Sequence, residues 1–493
     1  MVTIPPSPLS DAPARPVRAP SGPRSCAAVR QRPPAAHLHH AVPGHPAPRR
    51  FGTPGGPAHP GTTMPSQGEP SMDTTNVRDL LYYPVSARKM ARGEGVFLYD
   101  EEGNEYLDCA SATFNLSLGY SHPAVIAAMK EQLDVFAHLT SSVQSDPVNG
   151  LVRRLVEVSP GNLTKVHPKV SGGSTANEGA IKMAQHATGR SEVISLFRSH
   201  LGQTMMMTSM SGNAFRKEPF PSLFPRTLQV PDPYCFRCFY GQQPDTCGMM
   251  CVDRIEDFLE YASTGQVAAI IVEPISGNGG NIVPPDGYFP KLRAFCDEHD
   301  IVLIFDEIQT GIGRTGRMFA AQHFDVEPDA ITTAKGLGGS GAQVAAILTN
   351  ERLAGLPANH HSFTYGANLL AAAAANVTLD IVRQPEFLAG VRATGNYILG
   401  RLADMRTRYP AIVDVRGVGL MIGFEIAHPD GKPAVKLTNH LAGAAAQHGL
   451  ILRTSRYGYG NVLKIRPPLI LTLDQAELLC DRLESLFRAE LAA

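Results

Sequence analysis

The chain has 493 residues and a formal net charge of −1. That length suits two domains, and the charge lacks the excess that nucleic acid or an anionic membrane demands. No apolar run approaches the ~20 residues of a membrane span, so a soluble, cytoplasmic protein is expected. Residues 1–72 differ from the rest: they hold seven arginines, no lysine, only Asp11 and Glu69 as acids, and 17 of the 40 prolines. Such a segment has little to bury and cannot offset its ordering entropy, so disorder is expected. It lacks the apolar core of a signal peptide and is too proline-rich for an amphipathic transit helix. An over-extended start, with Met64 or Met72 as the first residue, is the simplest account.

Residues 93–108 alternate apolar and polar side chains around a Glu102-Gly103 turn, which predicts a hairpin. L-G-Y-S-H-P (118–123) and a helical pattern over 124–136 follow. Next comes S-G-G-S-T-A-N-E-G-A-I-K-M-A (171–184), in which two glycines and two hydroxyl residues stand directly before an amphipathic helix. A helix amino terminus carries unpaired N–H groups and a positive dipole end, and so suits a phosphate. Capping by Ser174 or Thr175 explains the same residues, and both readings can hold together.

An apolar strand over 193–197 runs into R-S-H-L-G-Q-T (198–204). Downstream, Cys235, Cys238, Cys247 and Cys251 are spaced C-x2-C-x8-C-x3-C, four soft ligands within 17 residues. They fit a structural zinc or an iron–sulfur centre, with reduced loop thiols as the alternative. Cys26, Cys109, Cys296 and Cys480 are dispersed, and the last three read as ordinary buried thiols. A-A-I-I-V-E-P-I (268–275) is a buried strand ending in Glu273. A helix over 289–298 then leads into the stretch on which the chain is organised.

That stretch is I-V-L-I-F-D-E-I-Q-T-G-I-G-R-T-G, followed after a spacer by A-I-T-T-A-K-G-L-G-G-S-G. Two short apolar runs, 301–305 and 330–334, stop abruptly, one at Asp306-Glu307 and the other at Lys335. Such runs read as buried strands of a parallel sheet, whose carboxyl ends carry the ligand. An acid to pair a pyridinium nitrogen and a lysine to form a Schiff base are what a pyridoxal phosphate enzyme needs.

D-E-I-Q-T-G-I-G-R-T-G and T-T-A-K-G-L-G-G, with Asp306 and Lys335 29 residues apart, resemble the class III, or omega-type, pyridoxal-phosphate aminotransferases. The resemblance implies the α/β architecture of fold type I. A large domain (146–369) has a mostly parallel sheet with helices on both faces. A smaller α+β domain is built from both chain ends (73–145 and 370–493). It implies that Lys335 forms the Schiff base and moves the proton, that Asp306 keeps the ring nitrogen protonated, and that Gln309 meets the ring hydroxyl. Gly173, Ser174 and Thr175 would cradle the phosphate. Aligned on Gly202, His200 stands where the family has an aromatic residue over the ring, and Leu201 where it has a histidine. H-H-S-F-T-Y-G-A-N-L-L (360–370) matches T-F-G-G-N-P-L, so Thr364 would bind the phosphate held by a neighbouring subunit. A homodimer follows from that. Residues 111–115 fall in the expected pocket wall.

Glu273 has a family counterpart near the active site, although a cap or surface carboxylate explains it as well. Several members hold a substrate carboxylate with arginine at the position of Lys464. Here Arg466 lies two residues on, and both sit on one strand face. Arg416 reads as a structural pairing residue. The expected reaction moves an amino group from an amino acid or amine to a 2-oxo acid. A phospho-lyase or racemase of the same family is the nearest alternative, and a catalytically silent assembly protein the distant one. Some members also carry a cysteine-bound iron–sulfur cluster.

Overall fold

The computed structural model describes residues 81, 85–86, 88–220 and 226–491. The segment 1–72, its two candidate starts and Cys26 lie outside them. Three strands open the described chain: β1 (Met90–Glu94), β2 (Phe97–Asp100) and β3 (Glu105–Asp108). The expected hairpin is therefore a double one. Gly95, at φ 56°, turns the chain a first time before the Glu102-Gly103 turn does so again.

The central sheet contains β4 (Lys165–His167), β5 (Glu192–Leu196), β6 (Thr227–Val230), β7 (Val267–Val272), β8 (Val302–Asp306), β9 (Ala330–Thr333) and β10 (Ala346–Thr349). Their order is β4-β10-β9-β8-β7-β5-β6. β10 runs antiparallel to both its neighbours, and the other pairs are parallel. β7, β8 and β9 are buried at every position, which is why they read as unbroken apolar runs. Alternate residues feed two cores. Ile270, Val272, Leu303 and Phe305 pack on one face. Ala269, Ile271, Val302 and Ile304 pack on the other, against Ala180 and Ile181 of the helix Gly173–Thr188.

The carboxy-terminal part forms a four-stranded antiparallel sheet, in the order β11-β12-β15-β14. Its strands are β11 (Ile412–Val418), β12 (Met421–Ile426), β14 (Arg453–Thr454) and β15 (Val462–Ile465). Between them, β13 (Leu450–Ile451) leaves to pair in parallel with β3, Leu450 opposite Leu107. That exchange fuses both ends of the chain: Val96, Leu107 and Cys109 share one core with the helices Pro385–Arg408 and Leu473–Leu491. Leu369, where the family carries proline, begins the helix Leu369–Val382. The Asn368 side chain caps that helix by accepting from the Ala371 N–H at 3.0 Å.

Candidate active site

Three neighbouring strands end together. β7 runs out into Glu273, β8 ends on Asp306, and β9 leads through Ala334 into Lys335. Because they are adjacent and parallel, two carboxyl groups and one amine leave the sheet at one edge. Asp306 and Lys335 border a cavity of about 380 Å³, with Gln309, His200, Gly173, Ser174 and residues 113–115 around it.

Asp306 is 4% exposed. Its Oδ2 accepts from Asn177 Nδ2 at 2.8 Å, and its Oδ1 accepts from the Ile308 N–H at 3.0 Å. Burial raises its pKa, while Asn177 and Lys335 oppose the rise. Burial also pulls the Lys335 amine down to about 8, and Asp306 and Glu273 limit the fall. Lys335 has φ 41°, a left-handed conformation that non-glycine residues adopt mainly where surroundings impose it. Glu273 sits behind this pair. Its carboxyl group accepts from His200 N at 3.1 Å and Gly277 N at 2.9 Å. Burial and the neighbouring Asp306 push it up to about 7.

His200 borders the cavity, and burial and nearby cations push its imidazole down to about 3. The ring is therefore neutral, and its buried Nδ1 has no partner among the described residues. Gln309 Oε1 accepts from Arg466 Nη1 at 2.7 Å.

The helix Gly173–Thr188 points its first turn at the same cavity, where Gly172, Gly173 and Ser174 form the lining. Ser174 Oγ accepts from Gln203 N at 3.0 Å. Gly202 makes that approach possible: at φ 146°, a Cβ there would lie 2.5 Å from Ser174 Oγ. Thr175 departs from the expected trio. Its hydroxyl accepts from the N–H groups of Ser171 and Gly172 and donates to Gly172 O, so it caps the helix and does not line the cavity. Thr364 lies exposed in a turn outside the cavity of its own chain.

A second cavity of about 390 Å³ shares Phe114, His200, Gln309 and Tyr457 with the first and adds Asn278, Arg453 and Lys464. Lys464 and Arg466 are both buried, at 6% and 1% exposure. Burial drives both pKa values well down, helped by Arg466 for Lys464 and by Arg314 for Arg466. Arg416 instead pairs with Asp414 and Glu425 and donates to Gly280 O at 2.8 Å, a structural role.

The metal expectation finds no support. Cys235, Cys238, Cys247 and Cys251 are free, partly buried thiols. Among the described residues no three His, Cys, Asp or Glu side chains converge on a metal position. The four thiols lie on a loop and two short helical turns, near enough that Cys235, Cys238 and Cys247 help to raise the Cys251 thiol.

Sequence reasoning missed Asn177, the one polar residue among Ala176, Ala180, Ile181 and Ala184 on the buried side of its helix. A lone amide on an apolar helix face was the available signal. Tyr457 and Arg453 carried none.

The donor set fits pyridoxal phosphate. A buried acid and a buried amine of lowered basicity face one cavity, a helix amino terminus opens on it, and a buried imidazole atom there lacks a partner. Fold and site together define a fold type I pyridoxal-phosphate enzyme. The family described as aminotransferase class III matches residues 82–487, and the chain belongs to it.

The chain is 35% identical over 399 residues to an alanine/serine racemase of Pyrococcus horikoshii, covering 78% of this chain and 82% of that one. It is also 35% identical to an acetylornithine aminotransferase of Methanothermobacter thermautotrophicus, covering 80% and 92%. Among solved structures, a thermostable (S)-enantioselective omega-transaminase from Thermomicrobium roseum superposes with a TM-score of 0.78 at 29% identity, over 83% of this chain and 96% of that one.

Proposed function

We propose that this enzyme moves an amino group from an amino acid or amine to a 2-oxo acid, with Lys335 as the residue that carries pyridoxal phosphate. Bound there, the cofactor supplies an electron sink that stabilises negative charge on the carbon bearing the amino group. The Lys335 amine would take the proton from the substrate carbon that bears the amino group and give it back; an amine near pH 8 in basicity suits both directions. Asp306, fixed by Asn177 and the Ile308 N–H, holds the proton on the ring nitrogen. Gln309 would meet the ring hydroxyl, and His200, which borders the cavity, would serve the ring face. The N–H groups at Gly173 and Ser174 bind the phosphate. Thr364 of a partner subunit completes that anchor, which makes the working unit a homodimer. Glu273 holds the His200 backbone by accepting from its N–H. The active dimer works in the cytoplasm, with residues 146–369 as the cofactor domain and 73–145 with 370–493 as the smaller one.

The observation carrying this reading is the shared exit of β7, β8 and β9, with a buried acid and a buried amine on adjacent strand ends. The experiment is a single half-reaction. Holoenzyme is mixed with an amino donor and no acceptor, and the cofactor absorbance is followed. Conversion to the amino form of the cofactor supports the reading; an unchanged band against a panel of amino acids and amines overturns it.

Amino-acid racemisation is the second reading. It draws on the 35% identity to the alanine/serine racemase and on Lys464, a buried amine of lowered basicity beside the cavity. Interconversion of D- and L-amino acid without any 2-oxo acid, followed by chiral chromatography, would support it.

A further inference from the structure

The turn that carries Thr364 is tied to the backbone just ahead of the phosphate-facing helix. Phe363 N donates to Lys169 O at 3.1 Å, and Ala367 N donates to Pro168 O at 2.9 Å. Gly366 lies so close to Lys169 that a Cβ there would stand 2.4 Å from its carbonyl carbon. Thr364 itself is exposed.

His361, three residues before Thr364, makes a second tie and is only 3% exposed. His167 Nε2 lies 2.7 Å from His361 O, and His361 Nε2 lies 2.7 Å from Thr175 O. A carbonyl oxygen only accepts, so both imidazoles carry a proton on Nε2. His361 is therefore gripped at its backbone by the end of β4. Through its ring it grips the first turn of the helix Gly173–Thr188. Gly179 makes room for that ring: a Cβ there would lie 2.6 Å from His361 Cδ2. The other ring nitrogen, Nδ1, is buried with no partner among the described residues, so the bond to Thr175 O defines what the ring contributes there. Thr175 follows directly on Gly173 and Ser174, which line the cavity.

We propose that His361 is a positioning residue that holds two phosphate anchors in register: the helix turn that serves its own chain's site, and Thr364, which serves the neighbour's. It touches neither cofactor nor substrate. Its ring braces the start of the helix, and its backbone sets where the chain enters the Thr364 turn. A displaced ring is therefore felt in both sites. One N–H donated to a carbonyl is worth about two- to tenfold, and part of that effect is delivered across the subunit boundary. This rests on the reading that Thr364 completes a neighbouring site, and the test separates failure of that reading from failure of the coupling.

The test uses full-length heterodimers purified from two differently tagged chains. One chain is wild type. The other carries Lys335→Ala, alone or together with His361→Asn, His361→Gln or Thr364→Ala. Only the wild-type chain can capture pyridoxal phosphate covalently, so its site, completed by the altered chain, is the one read. Captured cofactor is fixed with borohydride and counted by mass spectrometry across a titration. Asparagine and glutamine carry the same amide, but only glutamine is long enough to place its nitrogen where Nε2 stands. His361→Asn in the partner should weaken capture about fivefold, while His361→Gln should leave it within about twofold of the Lys335→Ala reference. Thr364→Ala should weaken capture at least as much as His361→Asn. A histidine with a merely local, structural role would leave the wild-type chain's site unmoved. If Thr364→Ala weakens capture and His361→Asn does not, the coupling alone is overturned, as it is if glutamine proves as damaging as asparagine. If only His361→Asn acts, the route through Thr364 is overturned. If neither acts, the shared site fails and the coupling with it.

Discussion

Asn177, on the first turns of the helix Gly173–Thr188, donates its amide to Asp306 Oδ2 at 2.8 Å and accepts from Thr332 Oγ1 at 2.7 Å. Its amide nitrogen also donates to Leu201 O at 2.7 Å. One buried side chain thus ties the phosphate-facing helix, the strand that carries the acid, the strand that precedes Lys335 and the His200 loop. Burial by itself would favour a neutral Asp306; the amide favours the carboxylate that must face a protonated ring nitrogen.

Replacing Asn177 by alanine removes a donor to a charged group, worth about 1.5–3 kcal/mol. The expected result is a loss of roughly ten- to a hundredfold in cofactor affinity, with the fold retained. Titration of the apoenzyme with pyridoxal phosphate, monitored by absorbance, reads it. Asp306→Ala should lose more, because the ring nitrogen then has no counter-charge. Equal affinity in wild type and Asn177→Ala would show that the acid needs no such support.

The Lys335 amine titrates at about 8 rather than at its usual 10.5, chiefly because it is buried. Only the neutral amine attacks a carbonyl. Capture of the cofactor by apoenzyme should therefore accelerate about tenfold per pH unit below 8 and level off above it. An exposed lysine would keep accelerating toward 10.5. Stopped-flow absorbance between pH 6 and pH 10 separates the two, and Lys335→Ala should show no covalent capture at any pH.

The backbone of this site was legible because β7, β8 and β9 are buried on both faces, so their sequences are unbroken apolar runs that stop at the chemistry. Glu273, Asp306 and Lys335 stand at those stops. What the sequence concealed depends on direction. Thr175 and Ser174 are adjacent hydroxyls, yet only Ser174 lines the cavity, since the helix turns Thr175 back onto its own cap. Phe114 lay inside the wall segment read at 111–115, but three left-handed residues, not a sequence pattern, aim it at Arg466.

The clustered cysteines carry the next prediction. Cys235, Cys238, Cys247 and Cys251 are partly exposed, whereas Cys109, Cys296 and Cys480 are buried. Thiolate, not thiol, is the nucleophile. Burial pushes Cys251, Cys296 and Cys480 up to about 12. Native alkylation mapped by mass spectrometry should label Cys238 and Cys247 first, Cys251 slowly, and Cys109, Cys296 and Cys480 only after unfolding. Chelator should not change the order. Strong protection of all four clustered thiols, released by chelator, would contradict the arrangement described here.

Thr364 allows the dimer to be tested through chemistry. It is exposed and outside its own chain's cavity; the family resemblance gives it to a neighbour's phosphate. If each site takes Lys335 from one subunit and Thr364 from the other, a dimer of one Lys335→Ala chain and one Thr364→Ala chain contains one site with both defects and one with neither. Random re-pairing of the two variants should then restore about a quarter of the wild-type sites, since half the dimers are mixed and each has one intact site. If Thr364 served its own chain, every site in the mixed dimer would keep one defect, and re-pairing would add nothing to the sum of the parents. Turnover after mixing under mild denaturant and dialysis, against each variant treated alone, distinguishes the two arrangements without relying on how damaging Thr364→Ala is by itself.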